Sequence, residues 1–385
     1  MRKKLHIARV STVPFFVLTQ LKSQIDAFSS HGMTVTVITS GEDFHGQMSE
    51  IENANFIPVD ISRNISLIKD LVSLVKLFRL FKLNKFDVVH STTPKAGLLC
   101  AVAGYFAGVP VRMHTFTGQP WATMSGVKRS ILKTCDKIIG GLNTHCYADS
   151  STQKNFLVKN KIIKEGKISV LGNGSLAGVD LARFNKRNYS LEFISDLRAS
   201  LGVPPNGKVI LFVGRITPEK GIQELMEAFV QVAAADNSTH LLLVGPIEET
   251  GGEIIDSFAN TRAWSRVHRV GFSNEPEKFM ALADLLCLPS YREGFGTVVI
   301  EAAAMGIPTV GTSIYGLSDA VVDGATGLLV PPQDADALGL ALISLVTDRA
   351  LLLQMGKAAN ARAVEEFDSA KMSALMLNEY ERFYL

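Results

Sequence analysis

Short β-branched and aliphatic runs, each followed by a stretch of helical spacing, recur along this chain, stop, and then start again. Strands that alternate with helices are satisfied by a parallel sheet covered on both faces. In the first half the runs are Leu5–Val10, Thr34–Thr39, Phe56–Val59, Phe86–His90, Val111–Thr115, His145–Ala148 and Ile168–Leu171. The spacing between them predicts helices over 17–30, Ile65–Leu83, Pro94–Phe106, 127–139 and Ser150–Val158. After a linker near 174–205 a second series follows: Lys208–Val213, His240–Val244, Val267–Val270, Leu285–Leu288, Pro308–Gly311 and Gly327–Val330. Its helices are expected over Gly221–Ala234, 276–283, 297–305, 317–321, 334–346 and 349–365. The expected fold class is α/β, with two doubly wound Rossmann-like domains over 1–188 and 189–368 facing across a cleft. Ligands of such sheets bind at the carboxyl ends of the strands, so the cleft is the expected site.

Composition is compatible with this. The 385 residues are long for one domain, and 47% apolar with 20% charged suffices for two cores. There is no internal repeat or low-complexity tract. No uncharged apolar run reaches the ~18 residues of a membrane span. The start, Met1–Ala8, is basic, but its apolar run is shorter than the ~7–15 residues of a secretory leader. Cys100, Cys135, Cys146 and Cys287 form no Cys-x-x-Cys pair. They read as reduced thiols of a cytoplasmic protein, without a disulfide scaffold or a metal site. Residues 1–195 hold 25 Lys/Arg against 13 Asp/Glu, and 196–385 hold 14 against 24. A basic half suits an anionic acceptor or lipid surface, although drift in composition produces the same skew. It lacks the interleaved aromatic and basic residues of a nucleic-acid platform.

The strongest chemistry lies at Leu288–Gly306, where a strand ends, a glycine-containing loop follows and a helix begins near Thr297. Unpaired N–H groups at a helix start carry partial positive charge. Gly294 and Gly296 let backbone approach a diphosphate closely. Glu293 and Glu301 offer carboxylates, each able to accept two hydrogen bonds from vicinal hydroxyls. The segment Phe212–Gly221 repeats the pattern, and Arg215 and Lys220 after its strand supply two cations for a diphosphate. No Gly-x-Gly-x-x-Gly follows the first strand, which argues against hydride transfer.

These segments resemble glycosyltransferase family 4, of the GT-B fold. The likeness extends to Gly271-Phe272, to Gly327–Val330, and in the first half to Asp87–Ser91, Pro94–Leu99, Arg112–Thr115 and Asn173–Phe184. The resemblance implies that Gly214, Arg215 and Lys220 hold the donor diphosphate and steady the departing phosphate. It gives Glu301 the ribose hydroxyls and Glu293 the transferred sugar. Gly271, Phe272 and the stretch Gly294, Phe295, Gly296 and Thr297 join the donor site. His114 would approach the sugar from the acceptor side, although a lone histidine is as readily structural. Configuration would be retained by same-face attack assisted by the leaving phosphate. No Asp-x-Asp appears, so no metal or other cofactor is expected, with Arg215 and Lys220 serving instead.

Relatives carry a Gly-Gly pair after the first strand, where this chain has Ser11–Phe16. Thr12, Phe15, Lys95 and Gln119, with Trp121 and Thr123, are read as acceptor-side residues; Phe15 and Phe16 would otherwise pack in the core. The Ile65–Leu83 helix interleaves apolar residues with Lys69, Lys76, Arg79 and Lys82. It either lies on an anionic membrane or packs on its own sheet with a basic outer face. A last helix over 369–385 is expected to cross back to the first domain, as in GT-B enzymes generally. The resemblance implies a transferase moving an N-acetylhexosamine or hexose from a UDP-sugar to a lipid-linked saccharide in surface polysaccharide assembly. The enzyme would be peripheral on the inner face of the cell membrane. The alternatives are a GT-B nucleotide-sugar epimerase and a nonenzymatic nucleotide-sugar-binding module.

Overall fold

The computed structural model describes residues 4–41, 51, 54–62 and 66–384. The chain forms two compact units, Met1–Gly178 with Ser369–Leu385, and Val179–Asp368. In the first, strands β1 (His6–Val10), β2 (Thr34–Thr39), β3 (Ala54–Pro58), β4 (Val88–Thr92), β5 (Val111–Phe116), β6 (His145–Ala148) and β7 (Ile168–Val170) form one sheet. The order is β3-β2-β1-β4-β5-β6-β7, and every pairing is parallel. In the second, β8 (Lys208–Val213), β9 (Thr239–Val244), β10 (Val267–Gly271), β11 (Leu285–Leu288), β12 (Thr309–Thr312) and β13 (Gly327–Val330) form a parallel sheet in the order β10-β9-β8-β11-β12-β13. Val209–Phe212 and Leu285–Cys287 are wholly buried, as runs covered by helices on both faces must be.

Each sheet reverses its direction of growth once. In the first unit the chain goes from β1 to β2, and later returns to the other side of β1 with β4. In the second it goes from β8 to β9 and returns with β11. At such a reversal the two following loops part to opposite faces and leave a crevice at the carboxyl edge.

Alternation along β1 divides the first unit's core. Ala8 and Val10 join the core under helices Leu67–Asn84 and Pro94–Ala107, whereas Ile7 faces helices Lys22–Ser30 and Ser369–Tyr384. On that second face Arg9 is fully buried. Its guanidinium binds His90 Nδ1 at 2.7 Å, Tyr380 Oη at 2.5 Å and Gln24 Oε1 at 3.2 Å. Burial, and then the charge of Arg9, hold His90 well below the usual imidazole range. Its Nε2 reaches Thr115 Oγ1 at 2.8 Å. Tyr147 donates to Glu379 at 2.6 Å. Met372, Met376 and Tyr380 thereby complete the core of β1 and β4.

Several elements differ from expectation. The chain leaves the first unit at Gly178, not 188, because Val179 N–H binds Phe367 O at 2.7 Å and Arg183 binds Glu277 in two hydrogen bonds. The expected linker near 174–205 contains a helix, Leu191–Ser200, whose cap Ser190 accepts from Phe193 N–H at 3.1 Å. A further helix, Glu249–Asp256, holds Gly251 and Gly252. A β-carbon on Gly251 would stand 2.0 Å from Ile216 O, so close backbone packing outweighs glycine's poor helix propensity. The helix expected over 17–30 begins at Pro14 and runs through a π-helical stretch, Val17–Leu21, into Lys22–Ser30. The helix expected from Ile65 is seen over Leu67–Asn84, and residue 65 lies outside the described residues.

Tyr380→Ala removes both a wholly buried ring and the hydroxyl that serves Arg9. It should destabilise the first unit by ~3–5 kcal/mol, read as an earlier urea transition with the second unit's transition unmoved.

Candidate functional site

The crevice of the second unit lies between the loops that follow β8 and β11, and both loops are shaped by glycine. Gly221 caps helix Ile222–Ala235 at φ +71°. A β-carbon there would sit 2.1 Å from Pro289 O, just beyond β11. Only glycine satisfies both the left-handed backbone and this approach. The contact draws Lys220 to the β11 loop, where its ammonium meets Glu293 Oε1 at 2.5 Å. Ser290 donates to the same oxygen at 2.8 Å. Tyr291 N–H binds Glu219 O at 3.0 Å, tying the loops together a second time.

Arg215 follows Gly214 at the end of β8 and is half exposed. It binds Glu248 at 2.6 Å and Glu219 at 3.1 Å. The two cations of this loop are therefore held by different acids. Beyond Glu293, Phe295 is buried with its ring 5.2 Å from that of Phe367. Gly294 and Gly296 flank it. Gly296 is the cap of helix Thr297–Ala304, and no side chain caps that end. The amides at this helix start keep the partial positive charge of an unfilled terminus.

Glu301 lies on the same helix. Burial pushes its carboxyl up to about 7, with Arg183 opposing and Glu277 adding to the rise. Arg183 is itself bound to Glu277 and Asn274 O. No hydrogen-bond donor among the described residues serves Glu301, which leaves both oxygens able to accept from a ligand diol. Gly271 and Phe272 close β10, two strands from β8 and about 10 Å across the sheet. Phe272 is exposed.

The residues expected on the acceptor side all belong to the first unit. Thr12 is buried, and its N–H and hydroxyl bind Thr93 Oγ1 at 3.2 and 3.0 Å across the β1/β4 crevice. Of the two aromatics in that loop, Phe16 packs against the core and Phe15 is exposed. Lys95 pairs with Asp70 at 2.7 Å. Gln119 is buried and accepts from Gln153 at 3.2 Å.

Trp121 departs from its expected acceptor contact. It is fully buried, stacks on Phe156 and donates to Asp136 at 2.7 Å, so it supports the core. Thr123 is exposed. His114 is buried beneath helix Pro94–Ala107, where a β-carbon on Gly97 would stand 2.4 Å from its Cε1. Its Nδ1 meets Ser91 Oγ at 3.0 Å, and burial brings the imidazole down to about 3 despite the Ser91 backbone. The ring is neutral in ordinary buffers.

Sequence reasoning missed the supports of these groups. Glu219 and Glu248 hold Arg215, and Ser290 holds Glu293. Gly316 packs where a β-carbon would meet Gly294 O at 2.7 Å. Asp149, next after β6, is buried, with its carboxyl pushed up to about 7 by burial and Oδ1 unpartnered. Glycines next to strand ends were the only available signal for Gly316, and nothing in the sequence set Asp149 apart. Among the described residues no group of three or more His, Cys, Asp or Glu side chains is placed to hold a metal ion.

Two parallel units, each with its crevice at a strand-order reversal, and one crevice carrying cations, a bare helix start and a spare carboxylate, define a GT-B glycosyltransferase. The chain belongs to the GT4-type glycosyltransferases. The family of "Glycosyl transferases group 1" matches residues 193–362, and the "Glycosyl transferase 4-like domain" matches 18–174. The chain is 31% identical to the capsular polysaccharide biosynthesis glycosyltransferase CapM of Staphylococcus aureus, over 96% of this chain and 94% of that one. It is 28% identical to an Escherichia coli UDP-Gal:alpha-D-GlcNAc-diphosphoundecaprenol alpha-1,3-galactosyltransferase, over 83% and 81%. In fold it is similar to Anabaena HepE, crystallised with UDP and glucose, with a TM-score of 0.81 and 19% identity over 98% of this chain and 100% of that one.

The raised carboxyl of Glu301 has a consequence for stability. A carboxyl with a folded-state pKa above its unfolded value favours the fold while protonated, and that advantage is lost as pH rises through about 7. Glu301→Gln should therefore raise Tm relative to the wild type at pH 8 and leave it nearly unchanged at pH 4, below the unfolded value. Calorimetric scans at the two pH values check this; equal Tm differences at both would place Glu301 in water.

Proposed function

We propose that this glycosyltransferase moves an N-acetylhexosamine or hexose from a UDP-sugar to a lipid-linked saccharide, with retention of configuration, in surface polysaccharide assembly. The crossing of the β8 and β11 loops carries the reading, because it sets two cations and an uncapped helix start around one crevice. UDP is supported by the complex of Anabaena HepE, and the lipid-linked acceptor by the diphosphoundecaprenol substrate named for the Escherichia coli relative.

In this reading Glu301, ionised, accepts the ribose hydroxyls. Arg215, Lys220 and the amides of 294–297 receive the diphosphate, and Glu293 faces the transferred sugar. The bond from the anomeric carbon to the diphosphate oxygen breaks, and UDP leaves with the electron pair. The acceptor hydroxyl oxygen bonds to the same face of that carbon, and its proton passes to the departing phosphate. Negative charge grows on the diphosphate as the bond breaks, so fixed cations and amides there stabilise the transition state more than the ground state. No metal is required for that stabilisation. The reaction is placed at the inner face of the cell membrane, where a lipid-linked acceptor and a soluble donor meet.

A panel of nucleotide sugars screened by thermal shift should pick out a UDP-sugar. UDP release should then depend on a polyprenyl-diphosphate saccharide; release of UDP or sugar isomerisation without acceptor would favour an epimerase. Arg215→Ala and Lys220→Ala should each lower turnover by ~100-fold or more, and wild-type turnover in either would remove the leaving-group role. Binding of the donor with no turnover under any acceptor would leave only a binding module.

A further inference from the structure

The first unit carries an outer face that its own fold does not use. Helix Leu67–Asn84 buries only Ser73, Leu77 and Phe81, and turns Leu67 (84% exposed), Ile68 (79%), Leu71, Val72 and Val75 outward. Helix Pro94–Ala107 packs beside it and exposes Tyr105 and Phe106 at its far end. Next to that lies helix Gly126–Leu142, with Val127 (77%), Ile131 and Ile138 outward. Eleven of the nineteen large apolar side chains exposed among the described residues stand on these three neighbouring helices. Scattered exposed apolar residues are ordinary, but a concentration of this kind marks a surface for something apolar.

Charge decides what that something is. Residues 67–142 contain eleven Lys or Arg and three Asp. Each of the three acids is already engaged: Asp70 by Lys95, Asp87 by His6 N–H, and Asp136 by Trp121. The outward cations, among them Lys69, Lys76, Lys82, Lys128 and Lys137, therefore have no acid of this face to pair with. A second copy docked on the same face would set like charges against each other. Nucleic acid would use the cations and leave the aliphatic stripe in water. An anionic bilayer takes both, with aliphatic side chains at the acyl boundary and lysines reaching the headgroups.

Six of the eleven lie toward the helix starts, and Leu83, Tyr105, Phe106 and Ile138 toward the far ends. A helix that follows a strand in a parallel sheet starts at the carboxyl edge. Leu67, Ile68, Leu71 and Val72 occupy the start of the first helix, and Val127 and Ile131 the start of the third. Lys95, at the start of the middle helix, is tied to Asp70 on the first at this same edge. Beside Val127 a shallow open shelf is lined by Met124, Ser125, Arg129 and Ser130.

We infer that helices Leu67–Asn84 and Gly126–Leu142 together form a bilayer-docking face for anionic lipid that reaches the carboxyl edge of the sheet. A lipid-borne acceptor held at that edge need not leave the membrane. The inference rests on the transferase reading for its purpose, but not for its measurement.

The 385-residue chain is floated with vesicles of phosphatidylcholine alone, or with about one third phosphatidylglycerol. It should bind the anionic vesicles and largely ignore the neutral ones, and stepwise addition of salt should weaken the binding. Lys128→Glu with Lys137→Glu, on the third helix alone, should weaken binding by at least ~20-fold. Val127→Ser with Ile131→Ser should weaken it without changing its salt dependence. Affinity for UDP should be unchanged in all of them, which shows that the variants are folded. No binding by the wild type, or wild-type binding by the third-helix variants, would overturn the inference. So would a salt-sensitive dimer that forms through this face without lipid. Donor turnover by a chain that ignores anionic vesicles would sink this face and spare the transferase; vesicle binding without turnover of any donor would do the reverse.

Discussion

The close backbone approach of Gly221 to the carbonyl of Pro289 is the constraint on which the second unit's crevice depends. It forces the turn after β8 into the space just beyond β11. The ammonium of Lys220 and the carboxylate of Glu293 then meet, although 73 residues separate them. A side chain at position 221 would part the loops, and with them the cations and the helix start of Thr297–Ala304. Parallel sheets create such a crevice wherever their strand order reverses. The glycine decides how narrow it is.

Charge in this protein works locally. The unit that carries Arg215 and Lys220 is acidic overall, with 15 Lys/Arg against 24 Asp/Glu over 179–368. Positive charge at its crevice comes from two placed cations and the oriented amides of a helix start, and neighbouring acids temper both cations. Glu248 and Glu219 hold Arg215, and Glu293 holds Lys220. A fixed, partly neutralised cation needs little rearrangement when negative charge develops beside it. The other unit, with 24 Lys/Arg against 13 Asp/Glu, keeps its excess on the outside, where several lysines face water together. Among the described residues its one buried cation, Arg9, has no acid partner and is held by the neutral groups of His90, Tyr380 and Gln24. That arrangement makes the last helix part of the first unit's core, because removing Tyr380 leaves a buried guanidinium short of acceptors.

Among the described residues no single helix is long and apolar enough to cross a membrane. Ala335–Thr347 and Arg349–Glu366 reach that composition only as a pair, bent by 98°. Their buried residues, Leu338, Leu342, Leu345 and Met355, belong to the second unit's core.

Period and punctuation settled much of the outcome from the chain alone. Two runs of alternating strands and helices required two parallel sheets, since β-branched runs such as Thr34–Thr39 and apolar runs such as Val209–Phe212 have no other stable burial. Glycines beside Arg215 and Glu293, just past strand ends, marked two loops that the fold brings together. Helix Leu191–Ser200 was hidden by its place in an apparent linker, and Glu249–Asp256 by its two glycines, whose close contact with Ile216 exists only once the fold has formed. Side-chain company was equally out of reach: Trp121 in the core over Asp136, His114 under Gly97, and Glu301 without a donor are products of strands and helices distant in sequence meeting in space. Local spacing determines which elements form and where their ends fall. Which charge neutralises which, and which carboxyl is left without a donor, depends on contacts across the sheets that only the tertiary structure creates.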